Sequence, residues 1–566
     1  MSLAKKTAVR YGLKSSMRTS SIALLAALAP AAAYAANPDS WNGNTSNAWG
    51  TATNWSGSFV PGTGANTNAA VTIGNSNLQN NPVQINANYS LNTGSGTTTG
   101  SLTVGAGAAP GQANGLNINS TYTLTMGTHA ITLDGGSITG LGTLSSSGSI
   151  SGYGTISSLL SGTPSFTANA TNGTTYTFSP SYKDGTPGTP ITLIGQQNLT
   201  SNSFTISNHG SFNFQGIKLT TPKLSGTASN LNAGPMGGNN NYGLFTFTGA
   251  DSTVVGNVAN GGYQQFRVGD GVNPTTLHLS NFSLTNNWAT NVPPFFVINA
   301  GGTVDNTTGN SNLTGSMAVV LNGGSLTNSG GGTFTAPGLI TGYGLVSGPI
   351  SINGGLTAGP GTTSATSGTL TVDGTSTKGP ITIGATGWGS SAGFTLDMKG
   401  TFNYPTSGGF LNPGTGTVQF DSATLNNTGH TIYTGAGKFV VNSGVNTFNT
   451  AMIPNGTNST VPDYTIKNGA TLNVNNTNTS NNAIYAQNFT MENNSKLSVN
   501  GSNTVIQVAG NFLYSQTDKV NAWTYHGTAG LGPDLIMTGG AKGATPVQLE
   551  AGSVNMGNKA AGYVDN

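Results

Sequence analysis

Along most of this chain single aliphatic or aromatic residues alternate with Ser, Thr and Asn in short bursts, and each burst ends at Gly or Asn. A period of two marks a strand with one buried face, and the Gly and Asn between bursts mark turns, so the pattern predicts many short strands. A slower beat overlies it. Ile138, Leu144, Ile150 and Ile156 fall six residues apart with Gly142, Gly148 and Gly154 in step, and Ile340, Val346 and Ile352 do the same with Gly342, Gly348 and Gly354. Six residues suit the small turn of a β-helix, in which each face contributes one inward aliphatic and each corner favours glycine. These runs are short, so a left-handed hexapeptide helix is a local expectation only.

The chain also repeats itself at longer range. Ile131-Thr-Leu133-Asp-Gly-Gly-Ser-Ile138-Thr returns as Val319-Val-Leu321-Asn-Gly-Gly-Ser-Leu326-Thr. Each copy is followed by a matching second segment, Ile150-Ser-Gly-Tyr153-Gly-Thr-Ile156 and Ile340-Thr-Gly-Tyr343-Gly-Leu-Val346. A unit of strand, Gly-rich turn and strand cannot bury its own apolar edge, so copies must lie on one another. Looser units such as Ile466 to Val474 and Met491 to Val499 read as further rungs, with Asn at the bends placed to hydrogen-bond up and down the stack. No long 3.6-residue period survives outside the leader. The expected fold is all-β, an elongated parallel β-helix (β-solenoid) with an aromatic N-terminal cap. With roughly 20 to 25 residues per rung and about 4.8 Å per step, about 20 rungs would make a rod on the order of 100 Å long.

The expected organisation begins with a signal peptide at 1–35. Lys5, Lys6, Arg10, Lys14 and Arg18 lead into the apolar Ile22 to Leu28, and Ala33-Tyr34-Ala35 offers a small-x-small cleavage site. The apolar run is too short, and too close to Pro30, to span hydrocarbon. A Trp-rich cap and first rungs follow at 36–110, a solenoid with the first cassette at 111–224, and irregular aromatic and Asn-rich rungs or a protruding loop at 225–295. A solenoid with the second cassette fills 296–566, and it is expected to continue beyond the given chain.

Composition narrows the function. The chain carries 17 Lys and Arg against 15 Asp and Glu, and loss of the five basic leader residues turns the formal charge from +2 to negative. Charged residues make up 6% of the chain with no basic cluster after the leader, so nothing neutralises phosphates and nucleic acid is excluded as a partner. No later segment is apolar for long enough to cross a membrane as a helix. Cysteine is absent, which excludes disulfides, zinc-thiolate sites and cysteine nucleophiles. The 86 glycines alone would suggest disorder, but the regular spacing of aliphatics argues against it.

Two stretches carry a resemblance. Trp41-Asn-Gly43, Trp49, Asn54-Trp55-Ser56 and Val60-Pro61-Gly62, closed by Ala70-Val71-Thr72-Ile73, resemble the opening unit of bacterial autotransporter-associated β-strand repeat proteins. Gly342-Tyr-Gly344, Gly348-Pro349-Ile350, Asn353-Gly354-Gly355-Leu356, Ala358-Gly-Pro360-Gly361 and Gly368 to Val372 resemble the rung pattern of autotransporters and large exported surface proteins. The resemblance covers a small part of the chain and is specific for architecture, weak for activity. It implies a right-handed β-helical passenger displayed at, or released from, a Gram-negative surface, often in adhesion or aggregation. Residues 520–566 lack the alternating lipid-facing strands of a membrane barrel, so the expectation is a longer polypeptide or another anchor.

Candidate chemistry is sparse. Polysaccharide lyases and hydrolases on β-helices need carboxylates converging on one face. Here Glu492 and Glu550 stand apart and the aspartates read as scattered; Asp251 and Asp270, 19 residues apart, could stack on neighbouring rungs or simply serve turns. His129, His209, His278, His430 and His526 lack metal-ligand spacing, and no nucleophile elbow is present. No catalytic residue, metal ligand or cofactor is therefore expected. Trp41, Trp49 and Trp55 are the one candidate site, either a carbohydrate-contact platform or a cap that closes the open end of the stack. The expected role is an exported surface rod, structural or adhesive, with self-association and surface glycan or matrix as partners. The alternatives are a polysaccharide lyase or hydrolase and a carbohydrate-binding protein on the same scaffold.

Overall fold

The computed structural model describes most of residues 38–555; 1–37, 556–566 and internal stretches, the longest being 170–190, 227–242 and 515–533, lie outside the described residues. The expected leader falls in that set, as do Tyr242, Tyr263, Trp288 and Trp523.

One turn of the chain shows how the rungs are made. Ala130–Thr139 bends through Asp134-Gly-Gly136, so that its first half pairs with Ser101–Gly105 and its second half with Gly115–Ile118. Thr143–Ser146 then pairs with Thr123–Gly127, and Ser149–Ile156 returns to lie on Ala130–Thr139. The chain thus visits three faces in fixed order. The six-residue beat is this circuit read in one dimension, since Ile138, Leu144, Ile150 and Ile156 are the inward residues of the second, third, first and second faces, all fully buried.

The same circuit recurs throughout. On the first face an unbroken ladder stacks 20 strand segments, from Pro38–Ser40 to Asp534–Thr538. At about 4.8 Å per step that ladder is about 90 Å long. Every strand ladder among the described residues is parallel, and their one antiparallel contact is an isolated bridge between Trp41 and Trp55. A single 3-10 turn, Ala52–Asn54, is the helical element among them. The fold is the expected all-β parallel solenoid. Rung length departs from expectation, however: Phe166 lies 16 residues after its partner Ile150, whereas Phe204 lies 38 after Phe166. Stacking constrains the strands and leaves corner length free, because a loop at a corner adds little closure entropy.

The interior is one continuous apolar column from Trp41 to Val508. Each fully buried Leu, Ile, Val or Phe contributes about 1.5–3 kcal/mol. The segment 225–295, expected as irregular rungs or a loop, supplies ordinary rungs wherever it is described: Gly243–Phe247, Ser252–Asn260, Gln264–Val268 and Thr275–Thr285 all pair with the turns above and below. Its phenylalanines face inward. Phe212, Phe245, Phe266 and Phe296 form a stack on the second face with centroids 5.5, 5.4 and 5.0 Å apart.

The two sequence cassettes are the same corner built at different places. In the first, Gly152-Tyr-Gly154 lies on Leu133 to Gly136 where the first face turns into the second; in the second, Gly342-Tyr-Gly344 lies on Leu321 to Gly324 where the second turns into the third. Gly152 has φ +105° and Gly342 φ +120°, and a Cβ at either would meet the carbonyl oxygen of Leu133 or Leu321 at 1.8 or 1.9 Å. Only glycine lets the upper rung settle there. Asn side chains stack as expected on the first face, where Asn426, Asn449 and Asn475 each donate to the Asn one rung earlier at 3.1, 2.8 and 3.0 Å.

Candidate functional site

Trp41, Trp49 and Trp55 fold into the first turns rather than onto the surface, each no more than 2% exposed. Trp55 stands edge-on to Trp41 and Trp49 at 4.9 and 4.7 Å. The Trp49 indole N–H donates to the Pro61 carbonyl at 2.9 Å, and that of Trp55 to the Trp49 carbonyl at 2.8 Å. Asn54, fully buried, ties the loop down through its side-chain oxygen, which accepts from the backbone N–H groups of Thr45 and Ser46. The rings are spent on one another, so none presents a face on which a sugar could stack. Their geometry is that of packing at the N-terminal end of the column.

Asp251 and Asp270 do not stack. Each rung there advances 25 residues, as Thr253 facing His278 shows, so a spacing of 19 falls on different positions. Asp270 is a turn residue. It accepts from the N–H groups of Val272 and Asn273 and from the Asn273 amide, and these bonds lower its pKa to about 2. Asp251 accepts from the Thr276 N–H at 2.7 Å and lies 3.9 Å from His278. His209 and His526 lie outside the described residues, and nowhere among the described residues do three His, Asp or Glu gather as a metal site would require.

The carboxylates that do converge are ones whose spacing went unread. Asp373, Asp397 and Asp421 are 24 residues apart and fall on three successive rungs of the third face, where Asp373, Lys399 and Asp421 are register partners and Asp397 pairs with Gln419. Lys399 Nζ sits 3.1 Å from Asp397 Oδ2. Asp421 accepts from Gln419, Asn442 and Ser443 at 2.8, 2.8 and 2.7 Å. Burial pushes the Asp397 carboxyl up to about 6, helped by its hydrogen bond to Asp421 and opposed by Lys399. Burial also pushes Asp421 up, but its bonds from Asp397, Ser443, Asn442 and Gln419 outweigh that and hold it below the ordinary value. Lys399 is raised, chiefly by its bond to Asp397.

These shifts describe one proton held between two carboxylates, on Asp397 and donated to Asp421. The pair can take up and release a proton near neutrality. Asp397 itself is 4% exposed, which leaves Asp421 and Lys399 as the groups facing outward. No protein-family model, curated protein or solved structure matches this chain.

Proposed function

We propose that the chain is an exported, non-catalytic rod that acts at a bacterial cell surface, holding cells to one another or to matrix through many weak contacts. The observation that carries this reading is the 20-segment ladder of the first face. A continuous parallel stack gives length and stiffness, and a contact too weak to matter once gains effective concentration when it recurs at every rung. Sparse charge lets neighbouring rods approach without repulsion. Sedimentation velocity over a concentration series, with a cell-settling assay using cells coated with the purified chain, tests it. Concentration-dependent association that persists at high salt, together with faster settling, is expected. Monomer throughout with unchanged settling would refute it.

A second reading, a polysaccharide lyase or hydrolase, is favoured by the gathering of Asp373, Asp397, Lys399 and Asp421. It ranks lower because the raised carboxyl of Asp397 is buried under its own partners, whereas a general acid must reach the glycosidic oxygen. Release of reducing ends from neutral or acidic glycans that is lost in Asp421→Asn would reverse the order.

A further inference from the structure

The first face differs from the other two in what it shows to solvent. Its strands repeat a small residue, an inward aliphatic and a hydroxyl: Ala70-Val-Thr72, Ser101-Leu-Thr103, Ala130-Ile-Thr132, Ser149-Ile-Ser151 and Ser165-Phe-Thr167. The register aligns the hydroxyls into one row, Ser40, Thr72, Thr103, Thr132, Ser151 and Thr167, each directly over the last. A parallel row of Ala70, Ser101 and Ala130, then Ser149 and Ser165, runs beside it. Thr205 and Ser225 extend the register of the hydroxyl row by two more rungs.

The charges lie elsewhere. Asp373, Asp397, Lys399, Asp421, Asp463 and Lys467 belong to the third face or its edges. On the first face, from Ser40 to Thr167, no outward position of a strand among the described residues is charged or aromatic; the nearest, Asp134 and Tyr153, stand at the corner where the chain leaves it.

Because every strand is parallel, the array repeats by translation alone, about 4.8 Å along the rod and about 6.6 Å between the two rows. Threonine suits such an array, since its branched Cβ restricts χ1 and so fixes both hydroxyl and methyl. Holding a water by hydrogen bonds costs up to about 2 kcal/mol in immobilisation, a cost that vanishes if the water is already ordered. The oxygen rows of an ice surface also repeat by translation, at a distance close to the strand spacing, and ice excludes charged groups. A neutral crystalline polysaccharide is periodic too, but sugar rings are gripped chiefly by aromatic faces, and these rungs offer none outward.

We propose that the hydroxyl rows of the first face, centred on Thr103 and Thr132, form an ice-binding surface. The full chain partitions into a slowly growing ice hemisphere and shapes single ice crystals. Thr103→Lys with Thr132→Lys places two solvated charges mid-array and reduces partition to that of an inert protein, while Thr143→Lys on the third face keeps it. Both variants should retain the far-ultraviolet spectrum and melting temperature, since all three positions point outward. Partition of the unaltered chain no better than an inert protein overturns the proposal, as does equal loss in the Thr143→Lys control. Failure to enter ice combined with retention on cellulose or chitin, or with a dimer abolished by the Thr103→Lys, Thr132→Lys pair, also overturns it and reassigns the face to glycan or to a second copy.

Discussion

Replacing Asp397 with Asn tests the proton held between the rungs. The amide keeps the shape of the carboxylic acid and still donates toward Asp421, but it cannot ionise. With Asp397 raised from 3.8 to about 6, two pK units at 1.36 kcal/mol each give about 3 kcal/mol. The native state binds this proton more tightly than the unfolded chain, so the contribution is fully present below pH 3.8 and is lost as pH rises through about 6. Asp421 acts in the opposite sense, because its lowered value favours the fold above the ordinary carboxylate range, and it reduces the net effect. The native chain should therefore lose roughly 1–3 kcal/mol of local stability between pH 4 and 7 that Asp397→Asn keeps. Buried Trp388, on a neighbouring rung and 6.2 Å from Phe402, reports that region by fluorescence during urea unfolding. The reasoning is refuted if the difference between native and variant midpoints is the same at pH 4 and pH 8, or if the variant is the less stable at pH 8.

Other outcomes follow from the packing. Phe245→Ala removes the middle of a buried stack and should cost about 3–5 kcal/mol, with new protease cleavage confined to nearby rungs since each rung touches only its neighbours. Gly342→Ala forces a Cβ onto the Leu321 carbonyl at positive φ and should destabilise that corner by about 2–5 kcal/mol, read as faster hydrogen exchange in residues 319–346. Trp55→Ala should open the N-terminal turns, seen as early exchange of 70–90 while exchange beyond 300 stays unchanged. Asn449→Ala should cost about 0.5–1.5 kcal/mol, as it breaks one link of the amide ladder on either side.

The architecture could be read from the chain because inward aliphatics and corner glycines recur at nearly fixed intervals where rungs are short, as at Ile138 to Ile156. The cassettes announced stacked corners, although not that the two copies sit at different corners, because their residues are alike and only register distinguishes them. The acidic cluster escaped because rung length varies. A spacing of 19 suggested Asp251 with Asp270 and was wrong for that part of the rod, while the 24-residue spacing of Asp373, Asp397 and Asp421 was right and carried no local mark. The hydroxyl rows were hidden for the same reason: Ala70-Val-Thr72 and Ser165-Phe-Thr167 look like any polar strand until the ladder lines them up.

The uneven circuits have a mechanical consequence. A chain wound turn upon turn in parallel, when pulled from its ends, loads the hydrogen bonds of the terminal coil one after another instead of shearing the whole ladder at once. Force should therefore peel coils singly, and each peeled coil lengthens the tether in proportion to its residue count. The step from Ile150 to Phe166 spans 16 residues and would release about 55 Å, whereas the step from Phe166 to Phe204 spans 38 and would release about 130 Å. Under flow such a molecule would lengthen in unequal stages and dissipate load before its grip fails.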